Sequence, residues 1–164
     1  MRVSLPYWEP IPDLEKHVTG HMDSILDGFL YLGDLESSAE APRLENNITR
    51  VLSVIDAHMF QHLPVLDNAE DGLRIKMEDV PSQSLVQIVP RAIAFLRQCR
   101  ADGVRVLVHC SAGISRSATI VIAYLILEHK MSLESAYIHV RARREVICPN
   151  LGFMQQLRVI QSIK

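Results

Sequence analysis

Runs of apolar residues divide the chain into alternating strands and helices. Thr49 to Ile55 and Val104 to Val108 are short, apolar and rich in β-branched residues, which is typical of buried strands. Leu73 to Met77 gives a further strand. Ile114 to Leu127 is apolar nearly all round and too long for a strand, so it predicts a central buried helix. Strands interleaved with helices predict an α/β sandwich, in which a mostly parallel sheet of four or five strands has helices on both faces.

Turn and capping residues indicate the other elements. Asp27-Gly28 is typical of a hairpin turn between strands at about 24–26 and 29–32. Ser132 predicts the N-cap of a helix to about 143, and Asn150 that of a last helix to about 163. We also expect a helix over about 37–46 and a polar loop over 56–72.

The predicted helix before the strand Val104 to Val108 has an ambiguous start. Ser84 with Gln87 resembles a capping box, which would begin a helix that runs to 102. Pro90 conflicts with one unbroken helix, so we expect either a kink or a restart with Pro90 in the first turn.

Length and composition indicate one domain. The chain has 164 residues, of which 48% are hydrophobic, enough for one sizeable core. Residues 1–22 carry three prolines among aromatic and charged residues and predict an irregular N-terminal arm. Residues 23–164 form the predicted domain.

Charge and cysteine usage indicate the compartment. A net charge of −2 gives no general attraction to nucleic acid or to an anionic membrane, and we expect neither as a partner. Three cysteines without framework spacing fit a reducing compartment. The sequence shows no secretory leader, no apolar run of 18 residues, and Arg2 where N-myristoylation requires glycine. We therefore expect a cytoplasmic or nuclear location, or both.

A cysteine and an arginine separated by five residues lie between a predicted strand and the central helix. His109 precedes Cys110, and Ser117 follows Arg116. The residues between them are small, so the chain turns tightly, and the backbone N–H groups of the turn and of the helix's first turn point into one concavity. Unpaired amides and the helix dipole present positive charge there, so the segment predicts an anion site.

Each polar residue of this segment has a role in removing a phosphoryl group. Cys110 lies at the rim of the N–H cradle, where a thiolate is stabilised and can attack phosphorus to form a phosphocysteine. Arg116 offers a planar fork of donors that fits two phosphate oxygens. Ser117 can donate its hydroxyl toward the sulfur and ease its departure. The predicted phosphate-binding residues are Ser111, Ala112, Gly113, Ile114, Ser115 and Arg116, with Gly113 supplying backbone freedom.

Cys110 has two other interpretations. Most intracellular cysteines are buried and inert, but the flanking residues, the strand and the helix all favour a nucleophile. Zinc binding is not favoured, because Cys99 and Cys110 form no Cys-x2-Cys pair and no second Cys/His pair has ligand spacing. We expect no metal and no cofactor.

Three stretches resemble the cysteine-dependent dual-specificity protein phosphatases. His109 to Leu125 looks like the signature of that family, and Ile25 to Gly33 is similar to the hairpin that opens its domain. Arg143 to Asn150, with Gly152-Phe153 and Gln156-Leu157, resembles its closing segment. The likeness covers about residues 24–160 and implies a protein-phosphatase-like fold, with residues 23–164 as the catalytic domain. The sequence shows no kinase-docking domain, and in this it resembles the small atypical group of that family.

The resemblance implies roles outside the central motif. Family members place an aspartate on a mobile loop, and Asp79 falls at that position as general acid and then base, with Glu78 as the nearest competitor. A carboxylate on a loop is also often a solvated turn residue. Asn150 would brace the phosphate loop through side-chain hydrogen bonds, which is compatible with its N-cap role. His109 ends the strand and is expected to be buried, shaping the loop rather than transferring protons.

The length of the chain and the uncharged loop indicate the substrate. A short chain has little room for the loop that deepens the pocket of phosphotyrosine-only relatives, so a shallow pocket would admit phosphoserine and phosphothreonine as well. The motif offers one arginine and no further charge, which argues against polyphosphorylated substrates. We expect phosphorylated proteins as substrates. The alternatives are a phosphatase of lipid, glycan or RNA, and a phosphoprotein-binding module with weak activity.

Overall fold

A five-stranded sheet forms the centre of the structure, a computed structural model that describes residues 19–66 and 68–163. The strands are β1 (Met22–Leu26), β2 (Leu30–Gly33), β3 (Ile48–Ile55), β4 (Gly72–Lys76) and β5 (Arg105–His109), in the order β1-β2-β5-β3-β4. The β1–β2 pair is antiparallel, whereas β2, β5, β3 and β4 run parallel. Most of the predicted N-terminal arm, 1–18, lies outside the described residues, and Met22 of that arm already belongs to β1.

Within the described ranges, five α-helices accompany the sheet: α1 (Glu40–Glu45), α2 (Ile88–Ala101), α3 (Arg116–Glu128), α4 (Leu133–Arg141) and α5 (Leu151–Ser162). α2, α3, α4 and α5 share the larger hydrophobic core with one face of the sheet, and α3 is buried along nearly its whole length. Alternate strand residues such as Tyr31, Val51 and Leu107 form a smaller core on the opposite face, because successive strand side chains point to opposite sides. This arrangement confirms the predicted α/β fold class. None of the helices that the structure describes is long and apolar enough to cross a bilayer.

The predicted helix over 37–46 is wrong as a single element. A 3₁₀ turn, Glu36–Ser38, is separated from α1 by Ala39, which has an extended backbone. Pro42 explains the break, since its ring would clash with the carbonyl of Ser38 in a continuous helix. The region 56–72, predicted as loop, also contains 3₁₀ turns at Ala57–His62 and Ala69–Asp71.

The start of α2 decides between the two alternatives at Pro90. The helix begins at Ile88, so Pro90 lies in its first turn, as one of them predicted. The capping box is wrong, because the Ser84 hydroxyl accepts from the Val86 N–H at 3.3 Å, outside the helix. In a longer helix the ring of Pro90 would meet the carbonyl of Val86.

The parallel strands place four loops at one edge of the sheet. β2, β3, β4 and β5 all end there, so the segments that follow them converge. The Leu35 N–H, just after β2, donates to the carbonyl of Ser111, just after β5, at 3.1 Å. The predicted site residues on these loops therefore lie close together in space.

Candidate active site

The segment between β5 and α3, residues 110–115, forms a tight loop, which we call the phosphate loop. Gly113 has a φ of +67°, a conformation that glycine adopts at no steric cost. A Cβ at this position would lie 2.5 Å from the Gly33 carbonyl oxygen and 2.6 Å from Nη2 of Arg144. Glycine is therefore required both by the backbone angle and by the close approach of β2.

Cys110 lies in this loop with its sulfur surrounded by donors. Its side chain is buried, the Gly113 N–H donates to Sγ at 3.2 Å, and Oγ of Ser117 lies 3.2 Å from Sγ. α3 begins at Arg116, so the positive end of its dipole faces the loop. The predicted contact between Ser117 and the cysteine is present in the structure.

The guanidinium of Arg116 is fixed on one side and unsatisfied on the other. Nη1 donates to Oδ2 of Asp56 at 2.7 Å and to the carbonyl of Met77 at 3.1 Å, while Nη2 donates to the Ser111 hydroxyl at 3.1 Å. Nε is buried and has no hydrogen-bond partner among the described residues. Leaving a buried donor unpaired costs about 1–3 kcal/mol. A phosphate oxygen beside Nε would remove that cost.

Asp79 is held against the phosphate loop from two sides. Its Oδ1 accepts from the Ser115 hydroxyl at 2.7 Å and from Nδ2 of Asn150 at 2.9 Å. Oδ2 has no hydrogen bond to any described residue and is available to carry a proton. Glu78, the competing carboxylate, instead pairs with Lys76 at 3.5 Å on the exposed side of the chain. The structure thus brings Asp79, and not Glu78, to the loop.

The segment that carries Asp79 is anchored by the start of α5. A Cβ on Gly152 would overlap the carbonyl oxygen of Pro81, so glycine permits this close contact. Oε1 of Gln156 accepts from the Leu85 N–H at 2.8 Å, and its Nε2 donates to the Gln83 carbonyl at 2.9 Å. These contacts fix both ends of the turn that follows Asp79.

Asn150 has a different set of contacts from the predicted one. Its Oδ1 accepts from the Phe153 N–H at 3.0 Å, so the N-cap role is present. Its side chain reaches Asp79 rather than the loop directly, and its backbone N–H donates to the Ser115 hydroxyl at 3.0 Å. Asn150 therefore braces the loop through its backbone and through Asp79.

His109 is fully buried at the end of β5. Its Nδ1 lies 3.1 Å from the carbonyl oxygen of Cys110, so Nδ1 carries the hydrogen. Nε2 then accepts from the Ser53 hydroxyl at 2.7 Å. Burial lowers the pKa of His109 to about 4. His109 is buried, as the sequence predicted. Its neutral imidazole has both nitrogens engaged, holds the Cys110 carbonyl and has no free position for proton transfer.

Arg144 is a site residue to which the sequence assigned no role. Its buried guanidinium donates to the Gly113 carbonyl at 2.8 Å, to the Ala112 carbonyl at 3.3 Å and to Oδ2 of Asp23 at 2.8 Å. Holding these carbonyls outward leaves the loop N–H groups free to point inward. Asp56, which fixes Arg116, was missed as well. Arg144 differs from a surface arginine only in being buried, and its burial cannot be read from the polar segment that carries it.

Comparisons with known proteins point to one family. The profile of the family described as "Dual specificity phosphatase, catalytic domain" matches residues 30–163. Dual specificity protein phosphatase 22 of Mus musculus is 41% identical over 138 residues, which cover 84% of this chain and 72% of that protein. A human tyrosine phosphatase-like serine/threonine/tyrosine-interacting protein superposes with a TM-score of 0.80 at 31% identity, covering 87% of this chain and 96% of the other. DUSP15 superposes with a TM-score of 0.77 at 33% identity, covering 85% and 86%.

Proposed function

The chain belongs to the dual specificity phosphatase catalytic-domain family, and we propose that Cys110, Arg116 and Asp79 are the residues with which it removes phosphate from proteins. It is a dual specificity protein phosphatase, and the phosphocysteine mechanism is general for this family. That mechanism has two chemical steps, and the atoms of this site supply the groups that each step needs.

The first step transfers the phosphoryl group to sulfur. The Cys110 thiolate attacks phosphorus, the S–P bond forms, and the P–O ester bond breaks with its electron pair on the leaving oxygen. Asp79, protonated on Oδ2, gives its proton to that oxygen. The Nε–H of Arg116, which has no partner among the described residues, binds a phosphoryl oxygen as charge develops on it, while the Gly113 N–H donates to the sulfur.

The second step releases phosphate. Asp79, now a carboxylate, takes a proton from water, and the water oxygen attacks phosphorus. The S–P bond breaks and its electron pair returns to Cys110. The Ser117 hydroxyl, 3.2 Å from Sγ, donates to the sulfur as its negative charge returns. Thiolate and protonated acid are thereby restored.

One observation carries this proposal: Asp79 is bonded to the same loop that holds Cys110. The Ser115 hydroxyl of this loop donates a hydrogen bond to Asp79 at 2.7 Å. The Gly113 N–H of the same loop donates to the Cys110 sulfur. A phosphoprotein-binding module would need the N–H cradle and Arg116 alone. An acid, a thiol and a hydroxyl beside the thiol serve hydrolysis.

The test of the proposal is Cys110→Ser. Serine is nearly isosteric but is not ionised at neutral pH, so turnover of an aryl phosphate and of phosphopeptides should fall below about one per cent of the wild-type rate, with the fold retained. Cys148→Ser is the matched control and should keep its activity. Turnover by Cys110→Ser well above that level would refute a covalent mechanism at Cys110.

The remaining features of the proposal concern partners and location. We infer that phosphotyrosine and phosphoserine or phosphothreonine residues of proteins are substrates, and that membranes and nucleic acids are not partners. A thiol nucleophile requires a reducing compartment, which supports the cytoplasm, the nucleus or both. Rates on phosphopeptides, phosphoinositides and 5′-phosphorylated RNA test the inference about substrates. Imaging of the tagged full chain tests the inference about location.

A further inference from the structure

A groove of about 610 Å³ lies between the end of β4 and the start of α2. We call it the β4 groove; its lining includes Ile75, Lys76, Val86, Ile88 and Arg91. Its apolar lining includes the buried Ile75 and Ile88, and Val86 is 77% exposed at its rim. Because β4 pairs with β3 alone among the described strands, it is an edge strand of the sheet.

The β4 groove lies beside the segment that leads from β4 past Asp79. Lys76 lines it, and the next residue, Met77, gives its carbonyl to Nη1 of Arg116 at 3.1 Å. Gln83 and Ser84 line it from the other side, at the end of the segment that carries Asp79. The groove is therefore lined from both ends of the segment that carries Asp79, and a chain that extends from a phosphoresidue at Cys110 past Asp79 can reach it.

The charge of the β4 groove is positive. Arg91 is exposed and makes no ion pair or hydrogen bond with the part of the chain that the structure describes. Lys76 is 62% exposed and pairs with Glu78 at 3.5 Å, so this carboxylate offsets part of the positive charge. α2 begins here, at Ile88, so the positive end of its dipole adds to the two cations.

We propose that the β4 groove binds an acidic, extended segment of the phosphoprotein substrate, so that the enzyme prefers phosphoresidues with glutamate or aspartate nearby; this inference rests on the proposed function. An extended segment can pair with the free edge of β4 while its carboxylates meet Arg91 and Lys76. An extended chain advances about 3.3 Å per residue, so the test places the acidic residues roughly three to six positions from the phosphoresidue.

The test compares kcat/KM for phosphotyrosine peptides that carry either glutamates or glutamines at those positions, on the N-terminal or the C-terminal side. Wild type should favour one glutamate peptide by about threefold to tenfold at low salt, as expected for a few exposed ion pairs. Arg91→Glu should abolish or reverse that preference, and Lys76→Gln should reduce it. Glutamate is favourable in the first turn of a helix, so Arg91→Glu should fold.

Three controls keep the outcomes distinct. Arg158→Glu changes the same charge on the exposed side of α5 and should keep the wild-type preference. Hydrolysis of a small aryl phosphate should be the same in every variant; no hydrolysis by wild type would refute the proposed function itself. Equal preference in Arg91→Glu and wild type, or none in wild type, would overturn the groove assignment. So would a sedimentation coefficient that changes only in Arg91→Glu, since it would assign the groove to a second copy of the chain.

Discussion

Replacing Arg144 by methionine removes the guanidinium that joins the phosphate loop to β1. The Arg144 side chain is 2% exposed and lies 2.8 Å from Asp23, whose side chain is 19% exposed. A hydrogen bond to a charged group contributes about 1.5–3 kcal/mol, and removing one partner of a fully buried ion pair costs about 3–5 kcal/mol. Water can partly resolvate Asp23, so we expect Arg144→Met to lower the free energy of unfolding by about 3 kcal/mol.

Urea and thermal unfolding measure this loss. For a domain of this size, about 3 kcal/mol corresponds to a fall in Tm of roughly 6–12 °C. A double-mutant cycle with Asp23→Asn separates the ion pair from the bonds to the loop carbonyls. Arg144→Lys keeps the charge near Asp23 but cannot span both carbonyls, so its stability should be intermediate.

Catalysis should fall further than stability explains. With the carbonyls of Ala112 and Gly113 released, the loop N–H groups lose their fixed direction, and misplacing one such donor costs about 10²–10³ in kcat. We expect at least a tenfold loss in kcat on an aryl phosphate, at a temperature where Arg144→Met is fully folded. Unchanged Tm together with unchanged kcat would refute the role given to Arg144.

The general acid, the buried histidine and the two other cysteines each give a further prediction. Asp79→Asn should lower kcat by roughly 10²–10⁴-fold on poor leaving groups and far less on acidic ones; equal losses across leaving groups would remove Asp79 from the acid role. Burial lowers the pKa of folded His109 from its usual 6.5 to about 4, so unfolded chains bind the extra proton between these values. Its contribution to stability is therefore complete above about pH 6.5 and is lost as the pH falls toward 4. Between these pH values the free energy of unfolding, measured with urea, should depend less steeply on pH in His109→Asn than in wild type. Burial raises the pKa of Cys99 to about 11 and also raises that of Cys148, so both thiols should be poor partners for an oxidised Cys110. Peroxide should then inactivate the enzyme with partial recovery by thiol, and mass spectrometry that finds a dominant disulfide to Cys110 would contradict this.

The sequence predicted features whose signals are local. β-branched runs located β3 and β5 within one residue at each end. Cys110 and Arg116 could be assigned because the strand, the loop and the helix that position them are consecutive. Asn150 and Ser132 were found as N-caps for the same reason, since each bonds a backbone N–H three residues ahead.

The long-range braces of the site could not be predicted in this way. Arg116 bonds Asp56 across 60 positions, and Arg144 bonds Gly113 across 31. Arg144 lies in a segment with other polar residues, and burial alone separates it from a surface cation. Nothing local to Asp56 marks it as the partner of Arg116. The link from Ser115 to Asp79 depends on how the turn after β4 packs on α5, which no local pattern encodes.

Trapping the covalent intermediate tests the central claim most directly. The wild-type enzyme would be mixed with a phosphopeptide, quenched in acid within one turnover, digested and sequenced by mass spectrometry. We predict a phosphoryl group on the sulfur of Cys110, and none in Cys110→Ser under the same quench. A phosphoryl group on His109, or turnover with no phosphorylated residue at any quench time, would contradict the assignment of Cys110 as the nucleophile.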